Sequence, residues 1–92
     1  MSEKAEAEVT VRNEKGLHAR AASQFTKLAS AYECRVVVKS GSVQVNGKSI
    51  MNLLLLAAAQ GTTLNIEVHG TNANQCLSDL IELVNTGFGE IP

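Results

Sequence analysis

Apolar residues recur along this chain with two periods, and the switches between them mark out its elements. Ala7-Glu8-Val9-Thr10-Val11-Arg12 alternates apolar and polar side chains, which predicts a strand with Ala7, Val9 and Val11 on one face. Asn13 to Gly16 reads as a turn, because Asn and Gly accept the backbone conformations that a reversal needs. From Ala19 to about Ala31, Ala21 or Ala22, Phe25, Leu28, Ala29 and Tyr32 fall three and four apart and form one helical stripe, opposite a polar face of Ser23, Gln24, Lys27 and Ser30. Cys34 to Lys39 is short and β-branched and ends at Ser40-Gly41; with Ser42 to Asn46 it predicts a hairpin. Ser49 is placed as the N-cap of a helix of about ten residues, Ile50 to Ala59, with Gly61 just past its end. Thr63 to His69 alternates again, with Leu64, Ile66 and Val68 inward and Asn65, Glu67 and His69 outward. Ala73, Leu77, Leu80, Ile81 and Val84 return to helical spacing until Gly87, and Phe88 to Pro92 reads as an irregular tail.

The resulting order is β-α-β-β-α-β-α. Each strand has one apolar face and each helix one apolar stripe, so helices covering a single sheet on one side satisfy both and leave the other sheet face in water. This predicts an α+β fold: a two-layer open-faced β-sandwich with a four-stranded, mainly antiparallel sheet and three helices on one face. One domain spanning residues 1–92 is expected, since 92 residues suffice for one core and not for two. The pattern leaves the strand order open. It also leaves a surplus: at about 100° per residue, Leu53, Leu54, Leu55 and Leu56 wrap most of a helix and cannot all face one core.

Composition narrows the classes. With Trp absent and only Phe25, Tyr32 and Phe88 aromatic, the core must be built from Val, Leu, Ile and Ala. A formal net charge of −1, without a basic run or interleaved aromatics, argues against nucleic acid as a partner. Cys34 and Cys76 have no metal-ligand spacing and lie in apolar patterns, so they are expected as buried free thiols, with no metal site and no cofactor. The N-terminus is charged from the start and Leu53 to Ala59 falls far short of the roughly 20 apolar residues of a membrane helix. A cytoplasmic protein without membrane insertion is expected.

The chemistry concentrates in Gly16-Leu17-His18-Ala19-Arg20-Ala21-Ala22. A histidine placed between a glycine turn and a helix start sits beside backbone N–H groups that have no intrahelical partner, with Arg20 close by, and this is a place where an anion is stabilised. Neutral imidazole is nucleophilic, and a phosphate carried on His18 would be met by those amides and by Arg20 through charge-assisted hydrogen bonds. A hydrolytic enzyme would need a base, an orienting group and a substrate pocket, and no second acidic or histidine motif accompanies His18. His69, at the outward end of a strand, reads as a solvated surface histidine. Ile50, Met51 and Leu54 are the expected exposed apolar patch on the leucine-rich helix.

Gly16-Leu17-His18-Ala19-Arg20, Gly47-Lys48-Ser49-Ile50-Met51, the element order and the length together resemble the histidine-containing phosphocarrier proteins, HPr, of the bacterial phosphotransferase system. The resemblance runs from about Glu8 to Gly87, and Asn85-Thr86-Gly87-Phe88-Gly89-Glu90 looks more like the nitrogen-related branch than the sugar branch. It implies a phosphocarrier, not an enzyme: His18 takes phosphate, at Nδ1, from a phosphoenolpyruvate-dependent enzyme I, Arg20 stabilises it, and it passes to an enzyme II A-type acceptor. It also implies regulatory phosphorylation of Ser49 by a serine kinase, and a docking surface for the partners at Ala21, Ile50, Met51 and Leu54, in a monomer. Members of the family usually have proline where this chain has Ala21, which bears on efficiency and partner choice more than on the chemistry. The alternative is a non-catalytic regulatory binding module acting through Ser49 and the apolar patch.

Overall fold

In the computed structural model, which describes residues 3–90, the chain runs β1 (Lys4–Thr10), α1 (Ala19–Ser30), β2 (Cys34–Ser40), β3 (Val43–Asn46), α2 (Ile50–Leu55), β4 (Thr63–Gly70) and α3 (Ala73–Asn85), followed by a 3₁₀ turn at Gly87–Gly89. The strands form one fully antiparallel sheet in the order β1-β4-β2-β3. Its register builds continuous apolar rows on one face, Ala5-Val68-Val36 and Ala7-Ile66-Val38-Val45, with Val9 beside Leu64. The stripes of α1 and α3 close over that face, and Phe25, Leu53, Leu64, Ile66, Leu80 and Val84 are fully buried in a single core. Burying one such side chain is worth about 1.5–3 kcal/mol, so the aliphatic rows and the ring of Phe25 are what hold the helices to the sheet.

The other sheet face is polar, as the alternation in β4 predicts. Glu67 there accepts hydrogen bonds from Lys39 Nζ at 2.9 Å and meets His69 Nε2 at 2.6 Å, so His69 belongs to a cross-strand polar cluster remote from His18. Cys34 and Cys76 are buried free thiols; Cys34 Sγ donates to the Thr71 carbonyl, and burial pushes the Cys76 thiol up to about 11.

Three elements differ from the sequence reading. β1 begins earlier, at Lys4, and ends at Thr10; Val11 is still buried, and its N–H donates to the Thr62 carbonyl at 2.9 Å. α2 is six residues long, ending at Leu55, not at Ala59. Its last turn tightens through Leu56 N–H to Leu53 O and Ala57 N–H to Leu54 O, and Ala57 takes the left-handed conformation, φ 48°, that usually falls to a C′ glycine. This early stop frees the Ala58 carbonyl for the loop that carries His18. The tail read as irregular forms a turn instead: Gly87, Phe88 and Gly89 all have positive φ, which turns the chain so that Phe88 is buried, while Ile91 and Pro92 lie outside the described residues. Of the four leucines, Leu53 is buried and Leu56 half-buried, while Leu54 and Leu55 are exposed.

Candidate functional site

The site begins with a turn that is held from inside. Asn13, 1 % exposed, donates from Nδ2 to the Gly16 carbonyl at 2.7 Å, while Gly16 N–H donates back to the Asn13 carbonyl at 3.1 Å. Gly16 has φ +68°, and a Cβ there would stand 2.4 Å from the Ala58 carbonyl oxygen, so both conformation and space require glycine. Leu17 donates its N–H to that same Ala58 carbonyl at 2.8 Å and sends its side chain into the core, which leaves His18 at the surface.

His18 is the N-cap of α1, extended at φ −79° and ψ −179°, and its carbonyl accepts the first helical bond from Ala22 N–H. Its imidazole does not cap the helix, and no acidic side chain stands in the first turn. The N–H groups of Ala19, Arg20 and Ala21 therefore end the helix without intrahelical partners, at the positive pole of its dipole. The imidazole is bound elsewhere: Nε2 lies 2.5 Å from Glu90 Oε2. Glu90 Oε1 in turn accepts from Asn13 Nδ2 at 3.0 Å. The hydrogen bonds from Asn13 and then from His18 hold the Glu90 carboxyl below the usual carboxylate range, against the opposing effect of its partial burial. With Nε2 engaged, Nδ1 is the open ring nitrogen; among the described residues no group bonds to it.

Around the ring lies an open cleft of about 700 Å³, lined by Arg12, Glu14, Lys15, His18, Arg20, Gln60 and Glu90. Three guanidinium or ammonium groups face two carboxylates, and among the described residues Arg20 makes no ion pair. The cleft suits a dianionic group better than a neutral one.

His18 and Arg20 are thus brought together as the sequence suggested. Ile50, Met51 and Leu54 are exposed on α2, Met51 at 74 %, and Leu55 joins them at 72 %. α2 packs against α1, and Lys48 Nζ fixes its entry by donating to the Tyr32 carbonyl at 2.7 Å. Ser49 is the N-cap of α2; its Oγ accepts from Asn52 N–H and from Asn52 Nδ2, each at 3.2 Å. Ala21 is the correction: it is 0 % exposed, because the third helical position already points under α1 into the core, so its side chain offers nothing to a partner. Asn13 and Glu90 were missed. The available signal was Gly87-Phe88-Gly89, an isolated aromatic between two residues that favour a left-handed turn.

The family model for the PTS HPr component phosphorylation site matches residues 5–86. The phosphocarrier protein HPr of Neisseria meningitidis serogroup A is 43 % identical over 82 residues, 89 % of this chain and 92 % of that protein. The phosphocarrier protein HPr of Pseudomonas aeruginosa is 43 % identical over 84 residues, 90 % of this chain and 93 % of that one. Among solved structures, an HPr from Thermoanaerobacter tengcongensis superposes with a TM-score of 0.91 at 31 % identity, covering 96 % of this chain and 99 % of its own.

Proposed function

Because the chain belongs to the HPr family of phosphocarrier proteins of the phosphotransferase system, we propose that His18 is its phosphoacceptor, taking phosphate from a phosphoenolpyruvate-dependent enzyme I and yielding it to an enzyme II A-type protein. The observation that supports this assignment is the position of the imidazole. It stands at the N-cap of α1, where three helix amides lack intrahelical partners, with Nδ1 unbonded among the described residues and Arg20 lining the same cleft.

The transfer follows from that arrangement. The Nδ1 lone pair attacks phosphorus in line with the donor; the Nδ1–P bond forms as the donor's bond to phosphorus breaks, and the electron pair leaves with the donor. The amides of Ala19, Arg20 and Ala21, oriented by the helix before the phosphate arrives, and the Arg20 guanidinium at the cleft wall are the groups available to the phosphoryl oxygens. The group is then carried on a surface ring that a second protein can reach.

Ile50, Met51, Leu54 and Leu55 form the grip for both partners, on the helix that packs against α1. A phosphate on Ser49, set by a serine kinase, would take Oγ from Asn52 and put charge beside Met51, and so would weaken docking. The family match does not favour a non-catalytic regulatory module in place of the carrier.

The test is the intact mass of the protein after incubation with phosphoenolpyruvate and enzyme I. The wild-type chain gains a single acid-labile phosphate, His69→Ala gains the same, and His18→Ala gains none. Phosphate retained by His18→Ala would overturn the assignment.

A further inference from the structure

We propose that Glu90 is a positioning residue for the phosphotransfer, clamping His18 Nε2–H so that the ring presents Nδ1 as its lone pair to the incoming phosphorus. The proposal rests on His18 being the phosphoacceptor and adds the group that sets its tautomer and aim. A neutral imidazole exists as two tautomers, and an ionised carboxylate accepts hydrogen bonds without donating them. The contact of 2.5 Å between Glu90 Oε2 and Nε2 therefore selects the ring with its proton on Nε2. It also fixes the ring plane, because Oε1 is held in turn.

That holding is built into the fold at three points. Asn13, buried at 1 % exposure, uses the one Nδ2 group to bond both the Gly16 carbonyl and Glu90 Oε1, at 2.7 and 3.0 Å, and so ties the carboxylate to the turn that carries His18. Phe88, 3 % exposed, anchors the tail in the core two residues before Glu90. Left-handed backbone at Gly87, Phe88 and Gly89, with Glu90 N–H donating to the Gly87 carbonyl at 2.9 Å, turns the chain back toward α1. A non-glycine residue at φ 56° is a disfavoured conformation, and it persists here because the burial of Phe88 over-determines it.

The clamp serves both directions of transfer. No proton moves at Nε2 when the Nδ1–P bond forms; the phosphorylated ring keeps its Nε2–H and gains positive character, which the adjacent carboxylate stabilises. When the Nδ1–P bond breaks toward an acceptor, its electron pair returns to Nδ1 and the ring leaves as the same neutral tautomer. A carboxylate orienting a nucleophilic or basic imidazole in this way is a general device of acyl and phosphoryl chemistry.

The experiment uses the full chain, comparing wild type, Glu90→Ala and Glu90→Gln by ¹⁵N chemical shifts of the His18 ring and by the rate of transfer from phosphorylated enzyme I, with His18→Ala as the labelling control. In the wild type the neutral ring is expected as the Nε2–H tautomer. Glu90→Ala is expected to mix the tautomers and slow transfer by about ten-fold or more. Glu90→Gln, nearly isosteric and still able to accept from Nε2–H through its amide oxygen, is expected to restore the tautomer and part of the rate, which a merely structural role for the tail would not do. Wild-type tautomer and rate in Glu90→Ala, with His18 still the labelled residue, would overturn the clamp. Label persisting in His18→Ala would instead overturn the phosphoacceptor assignment on which it rests.

Discussion

Gly16 is the residue at which conformation and crowding act together. Its φ of +68° costs a side-chain-bearing residue about 1–2 kcal/mol, and a Cβ would also push into the Ala58 carbonyl at 2.4 Å. Gly16→Ala is therefore expected to lower stability by at least about 1–2 kcal/mol, read as a shift of the urea midpoint at unchanged slope; an unmoved midpoint would mean that the turn is not tied to the loop after α2. Arg20 is the opposite case. It is exposed and makes no ion pair among the described residues, so Arg20→Ala is expected to leave the melting temperature nearly unchanged while slowing phosphotransfer by roughly ten-fold or more. An unaltered rate would remove Arg20 from the site. Gly16, His18 and Arg20 were legible in the sequence because they act within a few residues of one another. Glu90 was not, since its two partners lie 72 and 77 positions away and no local period links them.

The elements show why some boundaries were readable and others were not. α1 was clear, because Ala21, Ala22, Phe25 and Ala29 make a stripe that only a helix aligns. α2 was overextended, because Leu53 to Ala59 has high helix propensity throughout, whereas its end is set by the Ala58 carbonyl bonding Leu17 N–H, a tertiary contact that propensity does not encode. Ala21 was assigned to the docking surface by the family resemblance alone; a position in the first helical turn can face a partner or the core, and only the packed structure decides. Its amide comes before the first helical bond, so Ala21→Pro loses no intrahelical hydrogen bond. That substitution is expected to change stability by less than about 1 kcal/mol, by thermal unfolding; a larger loss would show that the core below Ala21 has no room for the ring. On α2, Met51 is 74 % exposed, so Met51→Asp is expected to keep the fold and to weaken binding to enzyme I by about 1–3 kcal/mol, as titration would measure. Wild-type affinity would place docking elsewhere.

At the scale of the whole molecule, the one-sided strands and striped helices were enough for the open-faced sandwich, but not for the order β1-β4-β2-β3, since every strand has the same one-sided pattern and any of several pairings would bury it. The order matters because it sets β4 in the centre, where Glu67 meets Lys39 of β2 and His69 of its own strand. Hydrogen bonds from Lys39 and then His69 hold the Glu67 carboxyl down at about 2, from an ordinary 4.5. A depressed folded value contributes stability above the unfolded value and loses it on acidification. The urea midpoint is therefore expected to fall between about pH 4.5 and pH 2, and to fall less in Glu67→Gln; identical acid profiles would contradict the role of this cluster. The open polar face and the cleft at His18 thus lie at different places on one sheet-and-helix frame, and the proposed phosphotransfer belongs to the cleft. The most direct measurement of that chemistry is ³¹P–¹⁵N coupling in the ¹⁵N-labelled chain after phosphorylation by enzyme I and phosphoenolpyruvate. A single coupled nitrogen, Nδ1 of His18, is the predicted result, and coupling to Nε2 or to any nitrogen of His69 would contradict it.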